Sequence, residues 1–205
     1  MKRLSNLAIL TLFTWIYNPD GETISITGYQ SWPDMDPNNV VMQFPLVYRK
    51  KTVTGLGNDD TSTPLYGNAV VGPYYSNFTE VQIETDENNK SNIISIHNSA
   101  FAGAWKLTKF NGDGLNLPAS VVSIGANAFA GCSALGPGHD LDLSNVLSID
   151  LYAFAGCGYD GSLILSDDLE ILNQSFPGCY FTGELELPSK LRIVNQYALS
   201  NMTNF

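Results

Sequence analysis

Few residues in this chain could do acid–base or nucleophilic chemistry at neutral pH: its 205 residues include only two histidines, His97 and His139, and three cysteines, Cys132, Cys157 and Cys179. His97 lies between Ile96 and Asn98, and His139 lies in the turn Gly136-Pro137-Gly138-His139-Asp140. Neither has a nucleophile or carboxylate at a motif spacing, and relay catalysis needs three groups in mutual hydrogen-bond geometry. Gly-x-Ser-x-Gly, a phosphate-binding glycine loop and His-Glu-x-x-His do not occur. Asp34-Met35-Asp36-Pro37-Asn38 opens like a calcium loop, but Asn39 stands where glycine is needed and Pro45 where the bidentate glutamate belongs. No catalytic residue, metal ligand or cofactor is assigned.

The cysteines are informative in another way. Each closes a copy of one phrase: SIGANAFAGC (Ser123 to Cys132), SIDLYAFAGC (Ser148 to Cys157) and EILNQSFPGC (Glu170 to Cys179). SIHNSAFAGA (Ser95 to Ala104) precedes them and RIVNQYALSN (Arg192 to Asn201) follows. A period of this length marks a stacked repeat. Equivalent positions predict a ladder of free, buried thiols acting as small hydrophobes rather than a disulfide framework or a zinc site.

The elements follow from the spacing. Anchoring isoleucines at Ile96, Ile124, Ile149, Ile171 and Ile193 are separated by 28, 25, 22 and 22 residues. Ahead of the last four stand Leu115/Leu117, Leu141/Leu143, Leu163/Leu165 and Leu185/Leu187, each an alternating pair that reads as a short strand. Val122, Leu147, Leu169 and Leu191 are expected to point inward as well. One repeat cannot enclose its own apolar groups, so neighbours must stack, each strand pairing with the next in a parallel ladder. Pro118 and Pro188 end strands, and Gly131, Gly156 and Gly178 allow left-handed turns after the phenylalanine position. The segment from isoleucine to phenylalanine has room for brief 3₁₀ or α turns only.

Leu117-Pro118-x-x-x-Val122-x-Ile124-Gly125-x-x-Ala128-Phe129-x-Gly131-Cys132-x-x-Leu135 resembles the BspA-like leucine-rich repeats of bacterial and protist surface proteins, over roughly residues 93–205. The Leu141 copy lacks the proline, Pro177 follows Phe176, and the last copy, read with one inserted residue, has Leu199 and Met202 at the phenylalanine and cysteine positions. The resemblance implies a right-handed leucine-rich-repeat solenoid, mainly β, and an extracellular or cell-surface setting.

Residues 1–80 lack the repeat. Phe13 to Tyr17 and Thr23 to Thr27 are β-rich runs joined by Asn18-Pro19-Asp20-Gly21-Glu22, a hairpin signal. This hairpin resembles the element that opens many BspA-like domains, where it covers the open end of the stack. Val40 to Met42 and Thr52 to Leu56 read as further strand, open as a degenerate first repeat; residues 32–39 and 57–77 read as loops, and 86–92 as an exposed turn. The expected organisation is one continuous solenoid, with a β cap over 1–80 and repeats over 81–205. Met1-Lys2-Arg3 and the apolar run Leu4 to Ile16 leave two readings, a secretory signal or the first strand of the cap. The strand is favoured because Phe13 onward is needed for the hairpin. The run is too short to span a bilayer.

Twenty acidic against ten basic residues give a net charge of −10, which argues against nucleic acid and anionic membranes and favours solubility. The outward residue of each Leu-x-Leu is the best binding lead: Asn116, Asp142, Ile164 and Glu186 on one ribbon, with Asp140 and Glu184 beside them. A second lead is the aromatic set Trp32, Tyr74 and Tyr75, with Tyr66 and Phe78 near by. The function this implies is non-enzymatic: adhesion or protein recognition on the concave face, with a protein or glycan partner. The rival is an assembly component, associating end to end through an uncapped last repeat.

Overall fold

The structure, a computed structural model, describes residues 13–17, 22–29, 40–44, 47–48, 51–56, 78–86 and 91–200. The expected loops at 32–39 and 57–77, including the calcium-like stretch, lie outside the described residues. The strands in chain order are β1 (Phe13–Tyr17), β2 (Thr23–Tyr29), β3 (Val40–Phe44), β4 (Val47–Tyr48), β5 (Lys51–Leu56), β6 (Phe78–Ile83), β7 (Ser95–Ile96) and β8 (Lys109–Phe110). They continue as β9 (Gly114–Leu115), β10 (Ser123–Ile124), β11 (Leu141–Leu143), β12 (Ser148–Ile149), β13 (Leu163–Leu165), β14 (Ile171–Leu172) and β15 (Ile193–Val194).

These strands stack into a β-solenoid. One sheet runs β1-β2-β5-β7-β10-β12, with β4 on β5; a second runs β3-β6-β8-β9, and β11-β13 and β14-β15 are parallel pairs. The β1–β2 hairpin is antiparallel, as its turn residues require, and β2 then pairs in parallel with β5. Ser95, Ser123 and Ser148 are in register, as are Ile96, Ile124 and Ile149. In this ladder each coil donates back to the one before: Gly125 N to Ile96 O at 2.8 Å and Asp150 N to Ile124 O at 2.9 Å.

The phenylalanine segments hold the brief turns expected and nothing longer: among the described residues neither 3₁₀ nor α-helix forms, and single bonds three residues back close each turn. Alternate N–H groups have different destinations. Ala128, Ala130 and Cys132 donate three residues back, to Gly125, Asn127 and Phe129, while Asn127, Phe129 and Gly131 donate forward to Leu151, Ala153 and Ala155 of the next coil. A helix would need all of these donors for itself. The alternation instead requires left-handed backbone at Asn127 (φ 56°) and Gly131 (φ 76°), and Gly156 and Gly178 repeat the glycine position.

Two columns of aromatic rings fill the core. Phe101, Phe129, Phe154 and Phe176 stack with centroids 5.3, 5.3 and 5.7 Å apart. Tyr159 and Phe181 stack beside them at 6.1 Å, meeting Phe154 and Phe176 edge-on. Full burial of seven large aromatic side chains supplies much of the apolar contact between coils.

Three expectations about the repeat are corrected. Val121 and Val146 are buried, whereas Val122 and Leu147 stand outward. The cause is a turn: Val121 N donates to Pro118 O, Val146 N to Leu143 O and Leu169 N to Ser166 O, and the last residue of each turn faces the core. Next, Ile171 and Ile193 are exposed, and the inward residue of β14 is Leu172. The fourth copy is one residue shorter between this anchor and its phenylalanine than the Ile149–Phe154 copy. Asn195 N therefore bonds Leu172 O in the place where Asp150 N bonds Ile124 O. Finally, the Leu-x-Leu ladder is broken. Only Leu141–Leu143 and Leu163–Leu165 pair; Leu117 lies beyond β9, and 185–187 forms no strand.

Candidate functional site

The reactive side chains are built into the core. Cys132, Cys157 and Cys179 are free and buried, each donating its S–H to a phenylalanine carbonyl of the preceding coil: Phe101, Phe129 and Phe154 at 3.2, 3.0 and 3.4 Å. Desolvation pushes the Cys132 thiol up to about 12 and Cys179 to about 11, and raises Cys157 well above its ordinary value. Such thiols stay protonated at neutral pH, poor nucleophiles and poor metal ligands. His97 follows β7, while His139 precedes β11 and lies against Gly114, where an added Cβ would stand 3.0 Å from its ring. Among the described residues no group of three His, Cys, Asp or Glu side chains could hold a metal ion, and no helix is long and apolar enough to cross a membrane.

The Leu-x-Leu ribbon carries what remains. Leu141, Asp142 and Leu143 pair with Leu163, Ile164 and Leu165, so Asp142 and Ile164 stand side by side with the leucines turned inward. Asp142 Oδ1 accepts from Ser144 N at 2.9 Å, fixing the turn that leaves the strand. Asp140 has a structural use: its Oδ1 accepts from Ser162 N of the next coil at 2.7 Å. Asn116 is tied down locally, its amide donating to Asp113 O at 2.8 Å while its carbonyl accepts from Asn111.

The breaks in the ladder leave a groove on each side of the β11–β13 pair. One, of about 110 Å³, brings Asn116 and Asp142 together with Asn145 over Val121 and Val146. The other, of about 420 Å³, brings Ile164, Glu184 and Glu186 together with Ser144, Ser162, Ser166, Asp167 and Asp168. Lys190 is ion-paired to Asp168, which raises its own pKa, and Arg192 faces Glu170 at 3.7 Å. Asp168 and its partner Lys190 were not among the expected site residues; their signal is the 22-residue spacing that places them on neighbouring coils. Of the aromatic set, Trp32, Tyr66, Tyr74 and Tyr75 lie outside the described residues. Phe78 opens β6.

Comparison with known proteins gives the following. Residues 95–205 match the model of the BspA type leucine rich repeat region, in six copies. A leucine-rich repeat protein from Bacteroides ovatus superimposes with a TM-score of 0.56 at 22% identity, covering 91% of this chain and 48% of that one. The chain thus spans about half the length of that protein. The T. pallidum leucine-rich repeat protein superimposes with a TM-score of 0.59 at 20% identity, covering 94% of this chain and 86% of that one. No curated protein matches the sequence at a significant level.

Proposed function

The chain belongs to the BspA-type leucine-rich repeat family, and from that premise we propose that it is a non-enzymatic recognition module of the cell exterior. Leucine-rich-repeat solenoids generally serve protein interaction. In this reading residues 1–80 cap the stack and residues 81–205 display an adhesive or recognition surface on the outward side of the Leu-x-Leu ribbon, the side expected to be concave. The partner is a protein or a glycan surface.

One observation carries the reading. The thiols are buried and capped, whereas the ribbon presents Asp142, Ile164, Glu184 and Glu186 to solvent around two open grooves. Glu184 and Glu186 have no ion pair among the described residues, so their charge is available to a partner. The test is binding of the labelled chain to an array of purified extracellular-matrix and cell-surface proteins and glycans. Loss of the captured signals in Asp142→Lys/Glu186→Lys is expected. Unchanged signals in that variant, or none with the parent chain, would overturn the reading.

A second reading, association through the coil that contains β15, is favoured by the exposure of Leu187, Ile193, Val194 and Tyr197. Sedimentation at rising concentration decides it: a reversible multimer supports assembly, and a monomer at high micromolar concentration counts against it.

A further inference from the structure

Four of the five phenylalanine turns place a residue in the left-handed region at the same point: Ser99, Asn127, Tyr152 and Tyr197, with φ of 56°, 56°, 58° and 64°. Asparagine tolerates this backbone, but a bulky side chain there is an outlier that costs stability. Tyr152 and Tyr197 are not held there by burial, since they are 41% and 59% exposed. An exposed residue that breaks a local backbone rule is a place to look for function.

The fourth copy, one residue shorter, lacks this position, and no residue between Asn173 and Phe176 is left-handed. Gln174 is half-buried and Ser175 buried, so the surface steps in between the two tyrosines. The turns of the first three copies each donate backbone N–H groups forward, and Tyr152, Phe154 and Gly156 reach Gln174, Ser175 and Pro177. Residues 174, 176 and 178 send no such bond to the coil of Tyr197. Two strand spacings set the tyrosine backbones about 10 Å apart, with Gln174 between them. The step is lined with carboxamides. Asn173 donates to Ile149 O and Asn195 to Asn173 Oδ1, whereas the amides of Gln174 and Gln196 make no bond among the described residues. Amides that both donate and accept, beside exposed aromatic faces, suit a ligand with flat C–H faces and a rim of hydroxyls.

We propose that this step binds a neutral, extended, β-linked glycan. One pyranose stacks on Tyr152 and the next but one on Tyr197, because alternate units of such a chain recur over a similar distance. The unit between them bonds the amides of Gln174 and Gln196. The site lies on a different segment of each coil from the Leu-x-Leu ribbon and does not rest on the ribbon reading.

The probes are cellohexaose and chitohexaose, titrated against the intact chain by calorimetry, with maltohexaose, whose α-linkages coil the chain, as comparison. Saturable binding of at least one β-linked hexamer is expected, insensitive to salt because the contacts are neutral. Tyr152→Asn and Tyr197→Asn should each lower that affinity roughly tenfold. The same two variants should melt at higher temperature than the parent, because asparagine relieves the left-handed strain. Tyr152→Phe keeps the ring and should keep the affinity. Failure of both β-linked hexamers, equal affinity in the asparagine variants, or equal binding of maltohexaose each overturns the site. Loss of binding together with a lower melting temperature also overturns it, because the tyrosines would then be packing residues. If both hexamers fail while capture of a protein on the array falls in Tyr152→Asn, the step binds a peptide and the glycan assignment is wrong.

Discussion

Cys132, Cys157 and Cys179 are buried and have hydrogen-bond partners, which makes them sensors of alkaline pH rather than reagents. The unfolded chain releases these protons near 9, but in the fold Cys132 and Cys179 hold them to about 12 and about 11. Their contribution is fully present below about pH 9 and is lost as the pH climbs through that window, where the unfolded state binds fewer protons than the native one. Each thiol steepens the loss by about 1.4 kcal/mol per pH unit. Urea midpoints measured from pH 7 to 11 should be level and then fall, and Cys132→Ser should flatten the fall; a level profile throughout would contradict the ladder. Tyr159 gives a complementary case. Its hydroxyl is buried without a hydrogen-bond partner, while its ring stacks on Phe181. Tyr159→Phe keeps the ring and removes the orphaned group, so a gain of about 1 kcal/mol is expected in the same titration.

At the scale of the element, close approach between coils is decided by glycines that the motif contains for steric rather than conformational reasons. A Cβ on Gly125 would stand 2.6 Å from Asn98 N and 2.8 Å from His97 C, both backbone atoms of the preceding coil. Gly125→Ala must push two coils apart where Gly125 N bonds Ile96 O, and a loss of about 2–3 kcal/mol is expected. Gly103→Ala meets nothing within 4 Å and carries only the strain of its φ of 78°, so it should cost less; equal midpoints for the two would refute the steric account. The sequence displayed this motif, and with it the stacking, the phenylalanine column and the thiol ladder. Its register in the fourth copy was not legible. Ile171 and Leu172 are adjacent and both apolar, so an ungapped alignment on Phe176 selects the wrong one. The missing residue shows only when Asn195 N finds Leu172 O. The site was legible to the same degree. Alternation identified Asp142 and Ile164 as outward, but nothing local to Leu185-Glu186-Leu187 reveals that its ladder fails to close. That depends on the path of the whole coil.

For the molecule as a whole, no single element among the described residues holds the stack together, because no helix forms there and the longest strand has 7 residues. Each coil bonds only its neighbours, so stability is a sum of intrinsic and nearest-neighbour terms. Phe154, stacked between Phe129 and Phe176, is an interior position of the ring column and suits a test. Phe154→Ala should cost about 3–5 kcal/mol. Hydrogen exchange should accelerate most around residues 127–131 and 172–178, and least in the β1–β2 hairpin. A uniform acceleration would mean that the chain unfolds as one cooperative unit.

The forward and backward bonds between coils have a mechanical consequence. In the strand ladder each coil donates to the one before it, and in the phenylalanine turns to the one after, yet all of these bonds lie roughly along the stacking axis. A pull between the two ends of the stack would load one interface at a time, like opening a zipper, instead of shearing all interfaces together. Each 22-residue coil that came away would release about 75 Å of slack. A stack built on this plan yields in short, repeated steps, so the remaining coils stay folded while the first ones open.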